Sequence, residues 1–406
     1  MKASSRYLDS GHAIAASSIA GQRIGLLTAS ASRLGGGVSE AVIGQALLLA
    51  ELGAEPRVFA LEDHFSEADR PRFGEVEVEV HRVAGPSQIG YAPSLLRGLM
   101  AAKLDCLHLH GIWMYPSAAG VRWALKSGGA YLISPHGMLD PWITSRGRWK
   151  KELARAGYER RSWRRATRWH ALTEAEAIDI EAESGRTADI IPNWAPSPSL
   201  PTPTDRGSFI YLGRIHPKKN LTALLEAWGE LYRKDALGSA QLTIAGWGNE
   251  RDVAALKAAL VNAPNSVSFI GPVHGDQKQA LLDKARYLIL PSLSEGLPMV
   301  ILEAWASGTP TIMTPHCHLD EGVTAGAALR CGADQGSITV ALMQALSLDE
   351  TQWGTMAKAA RQLVAGPFAR ATIAGQWAAA YTAAIGQVRH ETLREGGPDP
   401  QVGDAT

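Results

Sequence analysis

The sequence of 406 residues lacks the features of several large protein classes. It contains no run of about 18 apolar residues, so no segment has the composition of a transmembrane helix. Its three cysteines, Cys106, Cys317 and Cys331, are odd in number and form no C-x-x-C pair. A disulfide framework is therefore excluded, and a reducing, cytoplasmic environment is predicted.

An excess of charge of one sign is also absent. The 40 Lys and Arg side chains balance 40 Asp and Glu side chains, giving a formal net charge of zero at pH 7. No field of the whole molecule attracts nucleic acid, so any anion site must be local. The sequence has no G-x-G-x-x-G fingerprint and no G-x-x-x-x-G-K-[ST] loop, which removes the dinucleotide and P-loop interpretations.

The most informative stretch is residues 291–314, PSLSEGLPMVILEAWASGTPTIMT. A buried-strand pattern ends before Pro291, a polar loop carries Glu295, and a helix is predicted to begin at Pro298. In an open α/β sheet, a strand, loop and helix N-terminus in this order form an anion-binding position. Glu295 and Glu303 lie eight positions apart and suit two ends of one long ligand. The backbone amides predicted to face a charge between them are those of Gly296, Leu297, Met299 and Val300.

A glycine-rich loop follows the first predicted strand, 23–28. Gly35, Gly36 and Gly37 precede apolar residues that recur at helical spacing. Such a loop lets the backbone approach a phosphate closely, so we expect these glycines to contact a diphosphate. A flexible turn would have the same composition.

Two histidines end corresponding strand patterns, 104–109 and 131–134. His110 and His136 each precede a glycine. Because the carboxyl ends of parallel strands meet at one crevice, both histidines are candidate site residues. A lone histidine is more often a satisfied polar residue, but two in corresponding loops favour a site.

Three further turns follow predicted strands in the second half of the chain. Arg214 and Lys219 flank the first turn, where two cations and free helix amides can neutralise a diphosphate. A solvated basic turn would look the same. Gly246 and Val273 lie in the other two turns.

Four motifs thus arrive in the order GGG, PHGMLDPW, GR-x4-K and E-x7-E. Together they resemble the retaining GT-B glycosyltransferases of group 1 (family 4), and PHGMLDPW resembles a subset found in polysaccharide assembly. The resemblance covers residues 23–385 and implies an α/β fold of GT-B type, with two doubly wound Rossmann-like domains facing a cleft. The predicted parts are a disordered lead-in 1–22, an acceptor-side domain 23–191, a linker 192–206, a nucleotide-sugar-binding domain 207–370, a crossing helix 371–388 and a disordered tail 389–406.

The resemblance implies a reaction and its partners. A sugar would move from a nucleoside diphosphate sugar, of GDP-mannose or UDP-hexose type, with retention of the anomeric configuration. The acceptor would be a hydroxyl of a glycan or a polyprenyl-diphosphate-linked oligosaccharide in cell-surface polysaccharide biosynthesis. The sequence has no D-x-D motif, which fits neutralisation of the diphosphate by cations, so neither a metal nor a cofactor is expected. His316, Cys317 and His318 lack a fourth ligand at a suitable spacing for zinc.

The resemblance also assigns roles to residues. The turn containing Val273 would hold the nucleobase, mainly through main-chain groups. Glu303 would bind the ribose hydroxyls, and His110 would lie in the sugar site with His136. The residues implied to act in catalysis are His136 at the sugar, Arg214 and Lys219 at the phosphates, and Glu295 at the sugar hydroxyls.

Residues 146–168 carry the strongest local charge of the chain. Ten Lys and Arg residues stand against Glu152 and Glu159, and no proline interrupts them, so a basic helix is predicted. A solvated face would have the same composition. The functional prediction is peripheral contact with the anionic inner face of the plasma membrane. Its expected aromatic and apolar anchors are Trp149, Leu153, Tyr158 and Trp163.

Other functions remain open at this point. An epimerase of the same fold would rearrange a sugar nucleotide without an acceptor. A phosphorylase is disfavoured because the chain is short and shows no evident lysine site for pyridoxal phosphate. A non-catalytic partner of an assembly complex would bind a nucleotide sugar without turnover.

Overall fold

The structure, a computed structural model, describes residues 18–145, 148–198 and 207–394. The chain divides into two compact units, named the first unit and the second unit. Of the described residues, the first unit contains 18–171, 177–189 and 374–394, and the second unit contains 172–176, 190–198 and 207–373.

The first unit is built on seven strands. They are β1 (Arg23–Thr28), β2 (Glu55–Leu61), β3 (Glu77–His81), β4 (Cys106–His110), β5 (Ala130–Ser134), β6 (Arg168–Ala171) and β7 (Asp189–Ile190). Their order is β3-β2-β1-β4-β5-β6-β7, and the pairs from β3 to β6 run parallel. The order reverses between β1 and β4, and open sheets bind ligands at such a switch point, outside the carboxyl ends of the strands.

Helices pack beside this sheet, and β4 and β5 are buried along their whole length, as expected for central parallel strands. A 3-10 turn at Arg33–Gly35 precedes the first helix, and a π-helical segment at Arg155–Glu159 separates the sixth from the seventh. The helices are α1 (Gly37–Glu51), α2 (Ser66–Asp69), α3 (Leu95–Ala101), α4 (Tyr115–Ser127), α5 (Pro141–Ser145), α6 (Arg148–Ala154), α7 (Arg160–Arg165) and α8 (Glu174–Ser184).

The second unit has a six-stranded sheet of the same kind. Its strands are β8 (Ser208–Leu212), β9 (Gln241–Ala245), β10 (Val267–Phe269), β11 (Ala285–Leu290), β12 (Thr311–Met313) and β13 (Ala328–Arg330). They follow the order β10-β9-β8-β11-β12-β13 in parallel pairs. Here the switch point lies between β8 and β11.

Helix α9 (Leu221–Arg233) shows how the sequence specifies this unit. Leu221, Leu224, Trp228 and Leu231 recur at helical spacing and are buried against the sheet. The other helices of this unit are α10 (Glu250–Leu260), α11 (Gly275–Lys284), α12 (Met299–Ala306), α13 (Asp320–Thr324), α14 (Gln335–Ser347) and α15 (Glu350–Ala365). Helix α16 (Arg370–Arg394) begins in this unit, and its residues from 374 onward belong to the first unit.

The predicted doubly wound α/β architecture is confirmed, but several boundaries differ. Residues 1–17 of the predicted lead-in lie outside the described residues, whereas residues 18–22 are folded. Ile19 is fully buried, and Ser18 hydrogen-bonds Thr382 at 2.6 Å. Ile19 packs in the core, and the serine-rich sequence around it gives no sign of this burial.

The linker and the tail also begin differently from the expectation. Residues 199–206 of the linker and 395–406 of the tail lie outside the described residues. Ala195 is buried in the second unit, and its N–H donates to the carbonyl of Phe368 at 2.9 Å. The predicted helix 371–388 continues to Arg394 as part of α16, and its residues from 374 onward belong to the first unit.

Candidate active site

Two of the site residues predicted in the second unit, Lys219 and Glu295, meet at its switch point. A 3-10 turn, Pro217–Lys219, follows β8, and Glu295 lies in the loop after β11. Lys219 forms an ion pair with Glu295, with 20% and 10% of the side chains exposed. Ser292 Oγ donates to the same carboxylate at 2.6 Å. Strand order therefore brings together two residues that lie 76 positions apart in the chain.

Asn220 links the turn after β8 to the loop after β11 by a hydrogen bond. Its backbone is left-handed, with φ +57°, a conformation that asparagine adopts more readily than most residues. Its side-chain amide donates to the carbonyl oxygens of Pro291 at 3.2 Å and Ala333 at 2.7 Å. Asn220 thus fits the left-handed turn and adds one hydrogen bond to the start of the loop that carries Glu295 and one to the segment between β13 and α14.

Arg214 and Gly246 lie at neighbouring strand ends. The Arg214 side chain is exposed and has no carboxylate partner among the described residues. Gly246 is required by a close approach, because a Cβ there would lie 1.8 Å from the carbonyl oxygen of Gly213. Gly246 N–H donates to the carbonyl of Gly271 at 2.8 Å, two residues before the half-buried Val273. Gly246 therefore shapes the loop of Arg214 by packing.

The helix after Glu295 begins one residue later than predicted. Pro298 is the N-cap of α12, and Met299 is its first helical residue. No side chain caps this terminus, so the amides of the first turn can face an anion. Gly296 is exposed, Val300 is half-buried, and the side chain of Leu297 packs in the core, which leaves its backbone for a ligand.

Glu303 lies one turn inside α12 and has a partner that sequence reasoning missed. Lys278 of α11 forms an ion pair with it at 2.6 Å. The two side chains are 33% and 21% exposed for Lys278 and Glu303, so the pair can be reached from solvent. No motif marks Lys278, because the contact joins consecutive helices on one side of the sheet.

In the first unit, the glycine loop lies at the end of β1. Gly36 has φ +56° and ψ −131°, a combination open almost only to glycine. Gly35 ends the 3-10 turn, where a Cβ would come within 3.0 Å of the carbonyl oxygen of Ser30. Gly37 begins α1 in open space. Asp63 holds the loop by accepting a hydrogen bond from Ser30 Oγ at 2.6 Å.

The two predicted histidines contact each other. His110 Nδ1 and His136 Nε2 are 3.0 Å apart, and the rings are stacked with centroids 5.2 Å apart. His110 is only 3% exposed, so it lies beneath His136 and offers almost no surface to a substrate. Burial lowers the pKa of His136 to about 3 and the pKa of His110 well below its usual value. Both rings are neutral at pH 7.

A buried polar network next to this pair was not predicted. His108 hydrogen-bonds Ser134 Oγ at 2.6 Å and Tyr381 OH at 2.6 Å. Ser134 Oγ also contacts His170 Nδ1 at 2.7 Å, and Gln45 donates to Tyr381 OH at 3.2 Å. The network joins β4, β5 and β6 to α1 and α16, which no local sequence pattern indicates.

Trp113 ties the loop after His110 to the PHGMLDPW loop. Its N–H donates to Glu159 Oε1 at 2.5 Å, and its carbonyl accepts from Tyr158 OH at 2.9 Å. Its indole N–H donates to the carbonyl of Met138 at 3.2 Å. Trp113 has φ +80°, a strained value for this residue type that these contacts hold in place. Burial raises the pKa of Glu159 to about 7.

Residues 148–165 of the basic segment are helical, but they do not form one regular α-helix. The π-helical segment changes the helical phase, so Trp163 faces the core and stacks edge-on against Trp113. The predicted surface role of Trp163 is therefore wrong, and Tyr158 is half-buried. Trp149 and Leu153 of α6 are 66% and 65% exposed. Arg146 lies outside the described residues.

Two negative findings concern the described residues. No helix among residues 18–145, 148–198 and 207–394 is long and apolar enough to cross a membrane. The same part of the chain contains no group of three His, Cys, Asp or Glu side chains that could hold a metal ion. Cys317, beside His316 and His318, is fully buried.

Two family models match this sequence. The one described as "Glycosyl transferase 4-like domain" matches residues 36–194, and "Glycosyl transferases group 1" matches residues 206–347. The chain belongs to the group 1 glycosyltransferases. The first match begins within the glycine loop, at Gly36, and includes both histidine loops of this group 1 protein. The second match includes the loops around Lys219 and Glu295.

Curated relatives of this group 1 glycosyltransferase match it in part. The glycogen synthase of Mycobacterium tuberculosis is 29% identical over 182 residues, which are 45% of this chain and 44% of that protein. The D-inositol 3-phosphate glycosyltransferase of Pseudarthrobacter chlorophenolicus is 26% identical over 69% of this chain and 74% of its own. The chain spans less than half the length of the first curated relatives it matches.

Solved structures share the fold. HepE from Anabaena, in complex with UDP and glucose, superposes with a TM-score of 0.71 at 16% identity. The match covers 89% of this chain and 100% of that chain. At this identity the likeness shows the fold, and it confirms the GT-B architecture predicted for this group 1 glycosyltransferase.

Proposed function

We propose that this protein transfers a sugar from a nucleoside diphosphate sugar to a hydroxyl group, with retention of the anomeric configuration. The acceptor belongs to a glycan or a lipid-linked oligosaccharide of cell-surface polysaccharide biosynthesis. The observation that carries the proposal is the Lys219–Glu295 ion pair at the switch point of the second unit. Support also comes from HepE, a structure of the same fold in complex with UDP and glucose.

The second unit stabilises the leaving group in this proposal. Negative charge builds on the diphosphate as the glycosidic bond breaks. Arg214, Lys219 and the uncapped amides of α12 meet that charge with preorganised positive groups. A positive site of this kind needs no divalent cation, so the reaction is proposed to be metal-independent.

Carboxylates orient the donor around those cations. Glu295 accepts hydrogen bonds from the sugar hydroxyls while its ion pair with Lys219 fixes its position. Glu303 accepts from the ribose hydroxyls, with Lys278 holding its carboxylate. Neither carboxylate acts as a nucleophile, because the acceptor attacks the face that the diphosphate leaves.

The first unit supplies neutral groups. The glycine loop, with its Gly36 geometry, brings backbone close to a phosphate oxygen. His136 contacts the transferred sugar as an uncharged ring. A neutral hydrogen-bond donor suits a sugar that gains positive charge in the transition state, because a cation there would repel it.

The exposed face of α6 and α7 is proposed to hold the enzyme on an anionic surface near a lipid-linked acceptor. Trp149 and Leu153 are exposed one helical turn apart. Arg148, Lys150 and Arg160 are exposed as well. Flotation with neutral and anionic vesicles tests this step: preferential binding to anionic vesicles, weakened by Trp149→Ala, is expected. Equal binding to both vesicle types would contradict it.

A donor screen tests the function itself. Nucleoside diphosphate sugars, with GDP-mannose and UDP-glucose first, are added to the full chain, and the shift in melting temperature is measured. The donor with the largest shift is then incubated with acceptor extracts, and the product's anomeric configuration is read by NMR. A retained glycoside supports the proposal. A rearranged sugar nucleotide without acceptor indicates an epimerase, and binding without turnover indicates a non-catalytic partner.

A further inference from the structure

The hydrogen bond between His110 and His136 determines the tautomer of His136 as well as the position of its ring. Both histidines are neutral, so one of the facing nitrogens carries a proton and the other accepts it. Which nitrogen donates decides the tautomer of His136. The tautomer in turn decides whether His136 presents an N–H or a bare nitrogen to a substrate.

The other nitrogen of His110 distinguishes the two arrangements. His110 Nε2 is buried and has no hydrogen-bond partner among the described residues. If His136 donated, this buried Nε2 would carry a proton with no acceptor. If His110 donates from Nδ1, its Nε2 is a bare ring nitrogen instead. Buried N–H groups without an acceptor are rarer in proteins than under-satisfied acceptors, which favours donation from His110.

We infer that His110 is a positioning residue that donates from Nδ1 to His136 Nε2 and so holds the proton of His136 on Nδ1. His136 then offers an N–H to a substrate oxygen. This inference rests on the proposed function, because it gives His136 its role at the sugar. His110 therefore supports His136 from beneath instead of making the sugar contact that the sequence had predicted.

His110 is itself held in place from below. Its ring lies against the ring of His108, with centroids 4.0 Å apart. His108 is locked on both ring nitrogens by Ser134 and Tyr381. The three imidazoles thus form a stack whose lowest member cannot turn without breaking two hydrogen bonds.

His136 is restrained from its own side. Its backbone has φ +53°, an uncommon conformation for a residue other than glycine, which sets the direction of its side chain. Its Nδ1 makes no hydrogen bond to the part of the chain that the structure describes. A fixed ring with one nitrogen engaged and the other available is preorganised to donate to a single oxygen.

The direct test reads the tautomer. The full chain is labelled with 15N-histidine, and long-range proton–nitrogen correlations distinguish protonated from bare ring nitrogens. His136→Gln identifies its signals. Wild-type protein is expected to show a proton on Nδ1 of both His110 and His136. A proton on Nε2 of His136 would overturn the inference. The NMR experiment does not require turnover, so it tests the tautomer even if no donor is found and the proposed function is wrong.

Two variants of His110 add a kinetic reading. His110→Phe keeps a ring in the stack but removes the donor, whereas His110→Asn places an amide N–H near the position of Nδ1. The Phe variant is expected to lower kcat about 10- to 100-fold with little change in the donor KM. Asn is expected to restore most of that loss. Equal impairment by both substitutions, or wild-type kcat in the Phe variant, would contradict the inference.

Discussion

The candidate sites of the two units use opposite electrostatic strategies. In the second unit, Lys219 pairs with Glu295 and Lys278 pairs with Glu303, so charges of both signs are kept in partly buried pairs. In the first unit, burial keeps His110 and His136 uncharged, and one hydrogen bond joins the two neutral rings.

This difference matches the chemical role proposed for each unit. A departing diphosphate is strongly negative and is stabilised by cations and helix amides. A sugar losing its leaving group becomes positive, so neutral donors near it avoid repulsion. Removing charge from the second unit, or removing a buried titratable group from the first, tests this difference.

The largest effect is expected from Lys219→Met, which removes a cation while keeping side-chain length. Turnover should fall about 10²- to 10³-fold, because one preorganised group no longer meets the diphosphate charge. The measurement is single-turnover kinetics with saturating donor.

Lys218→Met is the matched control for Lys219→Met, since Lys218 is the adjacent lysine of the same 3-10 turn and contacts Ser294 Oγ instead. It should leave the rate nearly unchanged. Similar rates for the two variants would remove Lys219 from the mechanism.

Glu303→Gln should weaken donor binding about tenfold, because an amide accepts more weakly than a carboxylate from two ribose hydroxyls. Turnover at saturating donor should change less than affinity. Calorimetric titration with the donor gives the affinity, and Glu250→Gln, at an exposed glutamate that begins α10, is the control. Unchanged affinity in Glu303→Gln would contradict the ribose assignment.

Glu159→Gln should change how stability depends on pH. Folding raises the pKa of Glu159 from 4.5 to about 7, so the folded protein binds more protons than the unfolded chain between these values. Wild-type stability should therefore lose about 3 kcal/mol relative to the variant as pH rises through this window. Glutamine does not titrate, so the difference between the two proteins isolates the contribution of the Glu159 carboxyl.

Urea unfolding of wild type and Glu159→Gln, from below pH 4.5 to above pH 7, measures that difference. It should decline with pH and then become level. A difference that is constant with pH would show that folding does not raise the pKa of Glu159. The hydrogen bond from the Trp113 N–H to a buried Glu159 carboxyl would then not explain how the Trp113 loop is held.

The smallest effect is expected from chelation. EDTA should leave turnover unchanged, because Arg214, Lys219 and the α12 amides provide the positive charge. Loss of activity in EDTA, with recovery on adding Mg²⁺ or Mn²⁺, would overturn the metal-independent arrangement.

The sequence predicted the parts of these sites that are written as contiguous motifs. The loops around Gly36, His136, Lys219 and Glu295 each follow a strand, and parallel strands deliver such loops to one edge of a sheet. The meeting of Lys219 with Glu295 needed in addition that β8 and β11 be neighbours. That follows from the doubly wound order the motifs implied.

The burial of a strand-end residue and the side of a helix on which a residue lies could not be predicted in the same way. The strand pattern places His110 at the end of β4, but it does not show that His136 packs against the His110 ring. The position of Trp163 depended on a π-helical segment, which leaves no local signal in a basic run. The Lys278–Glu303 pair and the His108–Tyr381 contact join segments distant in sequence, so only the folded chain reveals them.

The most direct measurement compares UDP or GDP with the corresponding nucleoside by calorimetry, in wild type and in Lys219→Met. We predict that the diphosphate adds much of the affinity in wild type and far less in the variant, while nucleoside binding is the same in both. Equal gains from the diphosphate in both proteins would contradict the claim that the switch point of the second unit neutralises a leaving diphosphate.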